Sequence, residues 1–385
     1  MRILMVNLWK MINSAGGAEK VFCEMANMLS ERGHSVTALV FDNDKGNPFY
    51  HVNENVEFIN SGQGCKLGKN LWQKIRASFY SKNEKELYSE KIYDDIKSKR
   101  LAPFVNGKNF DVIISYNPSA TRILIHTLKV KTPIITMLHS STDVIFKNAS
   151  TDTLNALAKS RVIQVLMPGF CKEVLKYVKN ANIIYIPNIV PQYKFFELPD
   201  AKENVIINVA RFDKVYKRQY LLIEAFSLIA TKYPNWKLEF YGDTDCDANY
   251  FKDIKRMVSE RKLENRVLFK GTTINISQEL FRAKIFAFPS SFEGFPLALT
   301  EAMSAGLPTI GYKNCPAVNE LIKDGETGFL CDDGVEPLAQ ALDKLMGDRE
   351  LRVQMGKAAK ADMAQFAPEK IWNQWDDLIK KVVAK

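Results

Sequence analysis

The stretch that decides the fold is PSSFEGFPLALTEAMSAGLP, residues 289–308. A short apolar run at 285–288 precedes it and predicts a buried strand, and the pattern at 297–305 predicts a helix. Gly294 and Pro296 stand in the turn between them, where such residues are common. A second apolar run follows, so the stretch predicts a strand–helix–strand unit with parallel strands.

Two carboxylates in this stretch are candidates for binding a ligand. Glu293 lies in the turn, and Glu301 lies eight positions later, one turn into the helix. Both could face one ligand lying across the helix N-terminus, and a carboxylate can accept hydrogen bonds from two hydroxyls, as a ribose or hexose offers. Glutamates at this spacing also arise by chance, so the specificity comes from the surrounding sequence.

Alternating strands and helices extend through the rest of the chain. Strands are predicted at 2–7, 34–42, 111–116, 133–138, 161–166 and 183–186, then at 205–209, 237–241, 266–269, 285–288 and 308–311. Helices are predicted at 18–32, 220–232, 250–262, 278–283 and 297–305. This alternation is typical of doubly wound parallel sheets, and 385 residues suffice for two such domains.

The domain boundary is predicted where the alternation stops, at the proline-rich run 187–191 and the polar residues up to about 203. The predicted domains are 1–192 and 200–365. A final helix, about 368–385, has an apolar face that could fold back on the first domain. We expect a ligand cleft facing the carboxyl ends of the strands of both domains.

Composition excludes several classes of protein. The chain is 46% hydrophobic and 25% charged, and no apolar run reaches the roughly 18–20 residues of a membrane span. The six cysteines form no CxxC pair and the histidines have no metal-ligand spacing, so we expect no disulfide framework and no metal site, and a reducing cytoplasm fits. No recognised nucleic-acid motif is present.

The positive charge is confined to the first half of the chain. Residues 1–195 contain 26 Lys and Arg against 16 Asp and Glu, whereas residues 196–385 contain 27 against 28. Nucleic acid, an anionic membrane, a phosphorylated acceptor or merely a solvated basic face would each explain this surplus. Within the basic segment 62–109, Leu71, Trp72, Ile75 and Phe79 form an apolar stripe, which predicts either an interfacial helix or a helix packed on the core.

Two further motifs suggest contacts with a ligand. Gly16 and Gly17, in the run AGGAE, follow the first strand and open the first helix, so they predict a phosphate site, a sugar site or simply a tight turn. The run is not GxGxxG, so a standard dinucleotide site is not indicated. Arg211 and Lys217 follow the strand at 205–209 and could hold a diphosphate leaving group, although Lys214 and Arg218 compete for that role and a solvated charge run is the alternative.

Together these motifs resemble the family-4, or group 1, retaining glycosyltransferases, whose GT-B fold has two Rossmann-like domains facing a central cleft. Glu293 and Glu301 match the E-x7-E signature within its E-G-F-P and E-A-M-x-x-G-x-P-x-I frames. Arg211 and Lys217 match the R…K pair, and Gly16-Gly17-Ala18-Glu19 matches the glycine-rich opening. The resemblance covers nearly the whole chain except 62–109, and it implies that domain 1–192 binds the acceptor and domain 200–365 binds the nucleotide-sugar donor.

The resemblance implies roles for the matched residues. Arg211 and Lys217 would bind the donor diphosphate, Glu301 the ribose, and Glu293 the donor sugar. The remaining implied contacts are the backbone at Gly294, Phe295 and Leu297 for the sugar, Gly16 and Gly17 for the phosphates or the acceptor, and His139 for the donor sugar. Two departures stand out: the loop from Arg211 to Lys217 is one residue longer than usual, and Ser140-Ser141 follows His139 where an acidic residue is frequent.

The resemblance also implies the reaction. A hexose or N-acetylhexosamine would pass from a nucleotide-sugar, UDP-linked rather than GDP-linked, to a glycan or polyprenyl-linked acceptor in bacterial cell-surface polysaccharide synthesis, such as lipopolysaccharide or capsule. No cofactor or metal is expected beyond the donor. The expected location is the cytoplasm, and the basic first half with its apolar stripe suggests a peripheral position on an anionic inner membrane face. The alternatives are a nucleotide-sugar epimerase, a phosphorylase-like enzyme or a non-catalytic sugar-nucleotide-binding protein.

Overall fold

The computed structural model describes residues 1–65, 67–147, 149–194 and 202–384. These residues form two compact units, one running from Met1 to Ile186 and including the end of the chain from Trp372, the other running from Pro187 to Ile371. Part of the segment at which the sequence predicts the domain boundary, 195–201, lies outside the described residues. The domain limits at 192 and 200 therefore stay a prediction.

The first unit contains a parallel sheet of seven strands. In chain order they are β1 (Arg2–Asn7), β2 (Ser35–Val40), β3 (Val56–Asn60), β4 (Val112–Ser115), β5 (Ile134–Leu138), β6 (Val162–Val165) and β7 (Ile183–Tyr185). Their order across the sheet is β3-β2-β1-β4-β5-β6-β7. The central strands β4 and β5 are buried along their whole length, which explains their continuous apolar sequences.

Helices cover this sheet. They are α1 (Gly17–Glu31), α2 (Leu71–Ser78), α3 (Lys82–Val105), α4 (Pro118–Arg122), a π-helical turn (Ile123–Thr127), α5 (Thr142–Phe146), α6 (Thr151–Ala158) and α7 (Pro168–Tyr177). The last helix of the chain also contacts this unit, because Arg32 donates to Asp376 at 2.5 Å and to Asn373 at 2.8 Å.

The second unit contains a parallel sheet of six strands. They are β8 (Val205–Val209), β9 (Lys237–Tyr241), β10 (Val267–Gly271), β11 (Ile285–Ala287), β12 (Thr309–Tyr312) and β13 (Gly328–Cys331), in the order β10-β9-β8-β11-β12-β13. The helices are α8 (Gln219–Ile229), α9 (Ala248–Glu260), α10 (Ile276–Arg282), α11 (Leu297–Ser304), α12 (Val318–Leu321), α13 (Val335–Gly347), α14 (Arg349–Asp362), a 3-10 turn (Met363–Phe366) and α15 (Pro368–Val383), whose last part belongs to the first unit.

Both sheets have one topological switch point, where the strand order reverses direction. It lies between β1 and β4 in the first unit and between β8 and β11 in the second. Ligands of open parallel sheets bind outside the carboxyl ends of the strands at such points. The loops after β8 and β11 are therefore the expected place for a ligand in the second unit, and they contain Arg211, Lys217 and Glu293.

The structure confirms the doubly wound architecture and adds elements without a clear sequence pattern. The edge strands β3 and β13 were not expected, and neither were the helices α13 and α14. The segment 62–109 forms the short helix α2 and the 24-residue helix α3.

Candidate active site

The loops that follow β8 and β11 bring Lys217 and Glu293 together. The Lys217 Nζ atom lies 2.5 Å from Glu293 Oε1, and the two side chains are 16% and 10% exposed. The ammonium also lies 5.3 Å from the ring centroid of Phe288. An ion pair this sheltered retains much of its electrostatic strength, because little water screens it.

Asp213 shapes the loop that presents Lys217. Its Oδ1 atom accepts hydrogen bonds from the backbone N–H groups of Val215 at 2.9 Å and Tyr216 at 2.7 Å. Its carbonyl accepts from the N–H groups of Lys217 at 3.2 Å and Arg218 at 2.9 Å. The aspartate therefore closes a compact turn from Asp213 to Arg218.

The two loops are joined directly to each other. Ser291 donates its backbone N–H to the Tyr216 carbonyl and its hydroxyl to the Val215 carbonyl, each at 2.9 Å. Arg218 donates from Nε to the Pro289 carbonyl at 3.0 Å. These bonds hold the Lys217 loop and the Glu293 loop in one register.

Arg218 and Lys214, the two competing cations, have other surroundings. The Arg218 Nη1 atom donates to both carboxylate oxygens of Asp333, at 3.0 and 2.8 Å, and the guanidinium stacks on Tyr312. Arg218 thus stabilises the fold through contacts within the protein, whereas the Lys214 side chain is exposed to solvent. This arrangement favours Lys217 as the cation that meets a ligand at the switch point.

Arg211 stands at the exposed edge of the same site. Its side chain is 54% exposed, and its Nη2 atom lies 3.4 Å from Asp213 Oδ2, a weak contact. Its backbone is fixed instead, because the buried Gln219 donates from Nε2 to the Arg211 carbonyl at 2.9 Å. The guanidinium is therefore free to reorient toward an anion while its Cα stays in place.

The loop from Gly294 to Leu297 ends at the N-terminus of α11. Phe295 is 7% exposed and packs edge-on against Phe366, with the ring centroids 5.6 Å apart. This contact anchors the turn that contains Gly294. The backbone N–H groups at the start of a helix are unpaired within it and carry partial positive charge, so this turn can donate to a polar ligand. Glu301 lies one turn further along α11 and is 6% exposed.

A second group of predicted residues lies in the first unit, around the start of α1. The Tyr116 hydroxyl donates to the Ala18 carbonyl at 3.2 Å, and the Tyr116 ring stacks on His139 with centroids 3.8 Å apart. Tyr116 thus links His139 with Ala18, the residue that follows the predicted Gly17. Tyr116 has no sequence motif of its own, and only its position after β4, beside the switch point, could have indicated it.

Gly16 makes a close approach that a side chain would block. A Cβ atom at this position would lie 2.2 Å from a Glu19 carboxylate oxygen. Glu19 in turn accepts a hydrogen bond from the Ser14 hydroxyl at 2.6 Å. A carboxylate therefore already occupies the positive end of α1, which favours a hydroxyl-bearing ligand over a phosphate at Gly16 and Gly17.

His139 is neutral at physiological pH. Burial lowers the pKa of its imidazole to about 3. Its Nε2 atom is buried and has no hydrogen-bond partner within the described part of the chain. A buried polar atom without a partner is costly in a folded protein and often marks a site completed by a ligand or by water.

The described residues have neither a metal-binding cluster nor a membrane-spanning helix. They contain no group of three or more His, Cys, Asp or Glu side chains placed to hold a metal ion. Across the same residues, no helix combines the length and apolar character required to span a bilayer.

Comparison with known proteins identifies the family. Residues 189–362 match the model of the family described as "Glycosyl transferases group 1". The chain is 26% identical to the N-acetyl-alpha-D-glucosaminyl L-malate synthase of Bacillus anthracis, over 95% of this chain and 94% of that protein. It is 24% identical to the amylovoran biosynthesis glycosyltransferase AmsD of Erwinia amylovora, over 96% and 97%. The protein is a glycosyltransferase, and its residues 189–362 are of the group 1 family.

A solved structure supports the fold of this glycosyltransferase over the whole chain. A mutant of TarM from S. aureus, crystallised with fondaparinux, alpha-GlcNAc-glycerol and UDP, superposes with a TM-score of 0.76. It covers 98% of this chain and 99% of that one at 15% sequence identity, which shows a shared GT-B fold. The resemblance drawn from the sequence is thereby confirmed for family, fold and enzyme class.

The family match bears unequally on the candidate residues of this retaining glycosyltransferase. The matched segment contains Arg211, Lys217, Glu293 and Glu301, whereas Gly16, Gly17 and His139 lie before it. The individual roles of these residues stay predictions. Asp213, Gln219, Ser291 and Arg218 were not given supporting roles from the sequence. The contacts of Ser291 and Arg218 join residues 76 and 71 positions apart, whereas Asp213 and Gln219 form local bonds with the backbone that carry no sequence motif.

Proposed function

We propose that this glycosyltransferase transfers a hexose or N-acetylhexosamine from a UDP-sugar to a glycan or polyprenyl-linked acceptor of bacterial cell-surface polysaccharide synthesis. The supporting observation is the pairing of Lys217 with Glu293 at the switch point of the second sheet. The name of the Bacillus relative specifies an N-acetylglucosaminyl group, and the TarM crystals contained UDP. The name of the Erwinia relative specifies amylovoran biosynthesis.

The second unit would hold the donor. Lys217 and Arg211 would bind the diphosphate, because both cations follow β8 at the sheet edge where ligands bind. Glu301 would accept hydrogen bonds from the ribose hydroxyls, and Glu293 would accept from the sugar. The backbone N–H groups at Phe295 and Leu297, with the turn at Gly294, would donate to the same sugar.

The first unit would hold the acceptor. The uncharged His139 can form a hydrogen bond to a sugar hydroxyl through Nε2 without adding a charge. The backbone at Gly16 and Gly17 would contact the acceptor, and the nearby Glu19 carboxylate suits its hydroxyl groups. Since all six cysteines are free thiols, we propose the cytoplasm as the place of reaction.

The proposed reaction retains the configuration at C1 of the sugar. The bond between C1 and the diphosphate oxygen breaks, and the acceptor oxygen bonds to C1 on the same face. The acceptor proton passes to the departing diphosphate oxygen, so atoms and charge balance. Lys217 and Arg211 stabilise the negative charge that develops on the diphosphate, and the remaining residues fix the two substrates in position. Glu293 is not assigned as a covalent nucleophile.

Thermal stabilisation by nucleotide-sugars tests the donor assignment. The full chain is mixed with UDP-, GDP-, ADP- and dTDP-linked sugars, alongside Glu301→Ala and the control variant Glu260→Ala, which alters an exposed carboxylate on α9. A donor present at 100 times its Kd adds about 2.7 kcal/mol of stability. We expect UDP-sugars to stabilise the wild type and the control but not Glu301→Ala. Stabilisation by another nucleotide class alone, or equal stabilisation of Glu301→Ala, would contradict the proposal.

A further inference from the structure

We propose that helix α2 docks this protein on an anionic phospholipid bilayer. The inference adds a partner to the proposed function, on which it rests for the location of the acceptor. It is carried by an exposed apolar face on α2 and by the positive charge that flanks this face. The α2 face is defined here as Leu71, Trp72, Ile75 and Phe79, the last being the residue that caps the helix.

The α2 face is exposed to an unusual degree. Leu71 is 71% exposed, Trp72 79%, Ile75 44% and Phe79 83%. Large apolar side chains are common singly on protein surfaces, but a contiguous group including a Trp and a Phe marks an interaction site. The possibility that the stripe packs on the core of its own domain is therefore excluded by the structure.

Helix geometry shows that this face points away from the protein. At 100° per residue, the four apolar side chains fall within an arc of about 100°. Ala77, the buried residue of α2 at 2% exposure, lies on the opposite side of the helix. The helix thus rests on the domain through Ala77 and presents the α2 face outward.

The chain segment that contains the α2 face has charges of one sign. Lys74 and Arg76 lie on either side of the apolar arc, and residues 58–83 contain five Lys and Arg but no Asp or Glu. An interfacial helix has this design, with an apolar face that enters the acyl boundary and cations that meet anionic headgroups. Trp favours the same boundary because its ring is apolar and its N–H is polar.

The helix has a rigid support. Its N-terminus has a capping box, in which Asn70 and Gln73 exchange hydrogen bonds at 2.8 and 2.9 Å. The following helix, α3, is fixed to the core because Arg122 bonds both oxygens of Asp94, at 2.7 and 2.9 Å. The α2 face is therefore a formed surface, and docking requires little ordering of the chain.

The same charge pattern disfavours a second copy of the chain as the occupant. A two-fold interface brings identical patches together, so the cations beside one α2 face would meet those of the other. Like charges placed opposite each other across an interface are unfavourable. An anionic bilayer instead satisfies both the apolar side chains and the cations.

Co-sedimentation of the full chain with vesicles tests the proposal. Vesicles of phosphatidylcholine alone are compared with vesicles of equal parts phosphatidylcholine and phosphatidylglycerol at low and high salt. We expect binding to the anionic vesicles, weakened by salt, and little binding to the neutral ones. No binding to anionic vesicles at low salt would overturn the proposal.

Matched variants distinguish vesicle binding through the α2 face from non-specific binding through other exposed apolar residues. Trp72→Ser/Phe79→Ser should lower vesicle binding at least ten-fold, whereas Leu175→Ser/Leu228→Ser, which alters two exposed leucines elsewhere, should not. A similar loss in both pairs, or in neither, would refute docking through α2. Self-association of the wild type that Trp72→Ser/Phe79→Ser abolishes would identify a second copy as the occupant and overturn the bilayer assignment.

A second pair of variants tests the flanking charge. Lys74→Gln/Arg76→Gln should lower binding to anionic vesicles by about five-fold for each cation removed. Lys172→Gln/Lys179→Gln, which removes two exposed lysines of the same unit, should have a much smaller effect. Equal losses in the two pairs would mean that the unit binds through its overall charge, against the proposal.

Fluorescence locates the contact at Trp72. The wild-type emission should shift to shorter wavelength on anionic vesicles, and Trp72→Phe should bind but lack this shift. An unchanged shift in Trp72→Phe would mean that α2 does not enter the bilayer. The vesicle assays and the donor assay can fail separately. Vesicle binding without stabilisation by any nucleotide-sugar would refute the proposed function. Stabilisation by UDP-sugars without vesicle binding would refute only the docking proposal.

Discussion

Removing the charge of Lys217 should destabilise the second unit, because it leaves the Glu293 carboxylate without its partner. The substitution Lys217→Met keeps the length of the side chain and removes the ammonium. Breaking a fully buried ion pair costs about 3–5 kcal/mol. Since the two side chains are 16% and 10% exposed, some solvation remains. We therefore expect a loss of about 2–4 kcal/mol.

The double variant Lys217→Met/Glu293→Gln separates the ion pair from the other contacts of Lys217. Glu293→Gln keeps the shape of the side chain but removes its charge, so no uncompensated carboxylate is left behind. The double variant should be more stable than the sum of the single losses predicts, by about 1–3 kcal/mol of coupling energy. Urea unfolding followed by circular dichroism measures all four proteins, provided that the slope m stays constant.

The same variants link the ion pair to donor binding. Both Lys217→Met and the double variant should lose stabilisation by a UDP-sugar, since the proposed contact to the diphosphate is absent in each. Additive losses of stability would refute the reasoning about the ion pair. Normal stabilisation of the double variant by the donor would refute the assignment of Lys217 to the diphosphate, even where the coupling energy is as expected.

Three further substitutions test other parts of the structure. Gly242→Ala should destabilise the second unit by about 3 kcal/mol or more in urea unfolding, because φ is +147° and a Cβ atom would lie 2.0 Å from the Ala210 carbonyl oxygen; a loss under about 1 kcal/mol would contradict this. Asp42→Ala should cost about 2–4 kcal/mol, since its carboxylate accepts from two buried backbone N–H groups of the loop after β1, at 2.7 and 2.8 Å; unchanged stability would be inconsistent with these bonds. Burial lowers the pKa of His139 to about 3. As the pH falls below about 6.5, the imidazole therefore takes up a proton in the unfolded chain but not in the folded one, and the free energy of unfolding drops by about 2 kcal/mol between pH 6.5 and 5. His139→Leu should reduce this pH dependence by that amount, and an identical pH dependence in both proteins would disprove it.

Much of the fold could be predicted from the sequence because buried parallel strands have continuous apolar sequences. The strands from β4 to β6 and from β8 to β12 are short apolar runs between turn residues, so their existence followed from periodicity. β3 and β13 lie at sheet edges and are partly exposed; β3 contains Glu57 and Asn60, which break the apolar pattern, and β13 has only four residues and begins with a glycine. Edge strands depend on pairing with a neighbour, which no local pattern reports.

The candidate site could be predicted only as far as its motifs extend. Glu293 and Lys217 each belong to a recognisable run, but their contact joins residues 76 positions apart and follows from the strand order. The residues that support the site were harder to predict from the sequence. Ser291 binds through its hydroxyl to a backbone carbonyl of the other loop, and Gln219 holds Arg211 through a side-chain amide. Many polar side chains can form such hydrogen bonds, so only the fold shows which residues form them here.

The α2 face shows how a local pattern leaves two structures open until the fold is known. The spacing of Leu71, Trp72, Ile75 and Phe79 fits a helix that packs on a core equally well as one that lies at an interface, because both need one apolar side. The position of Ala77 decides between them, since a helix of two turns resting on that small residue directs its large apolar residues outward. Leaving such a large apolar surface exposed to water is unfavourable, so we expect a partner to bind it. The segment 58–83 contains Lys and Arg but no Asp or Glu, so the expected partner is anionic. Docking of α2 on an anionic bilayer would therefore explain the positive charge of the first half of the chain. A polyprenyl-linked acceptor would be held in the same bilayer.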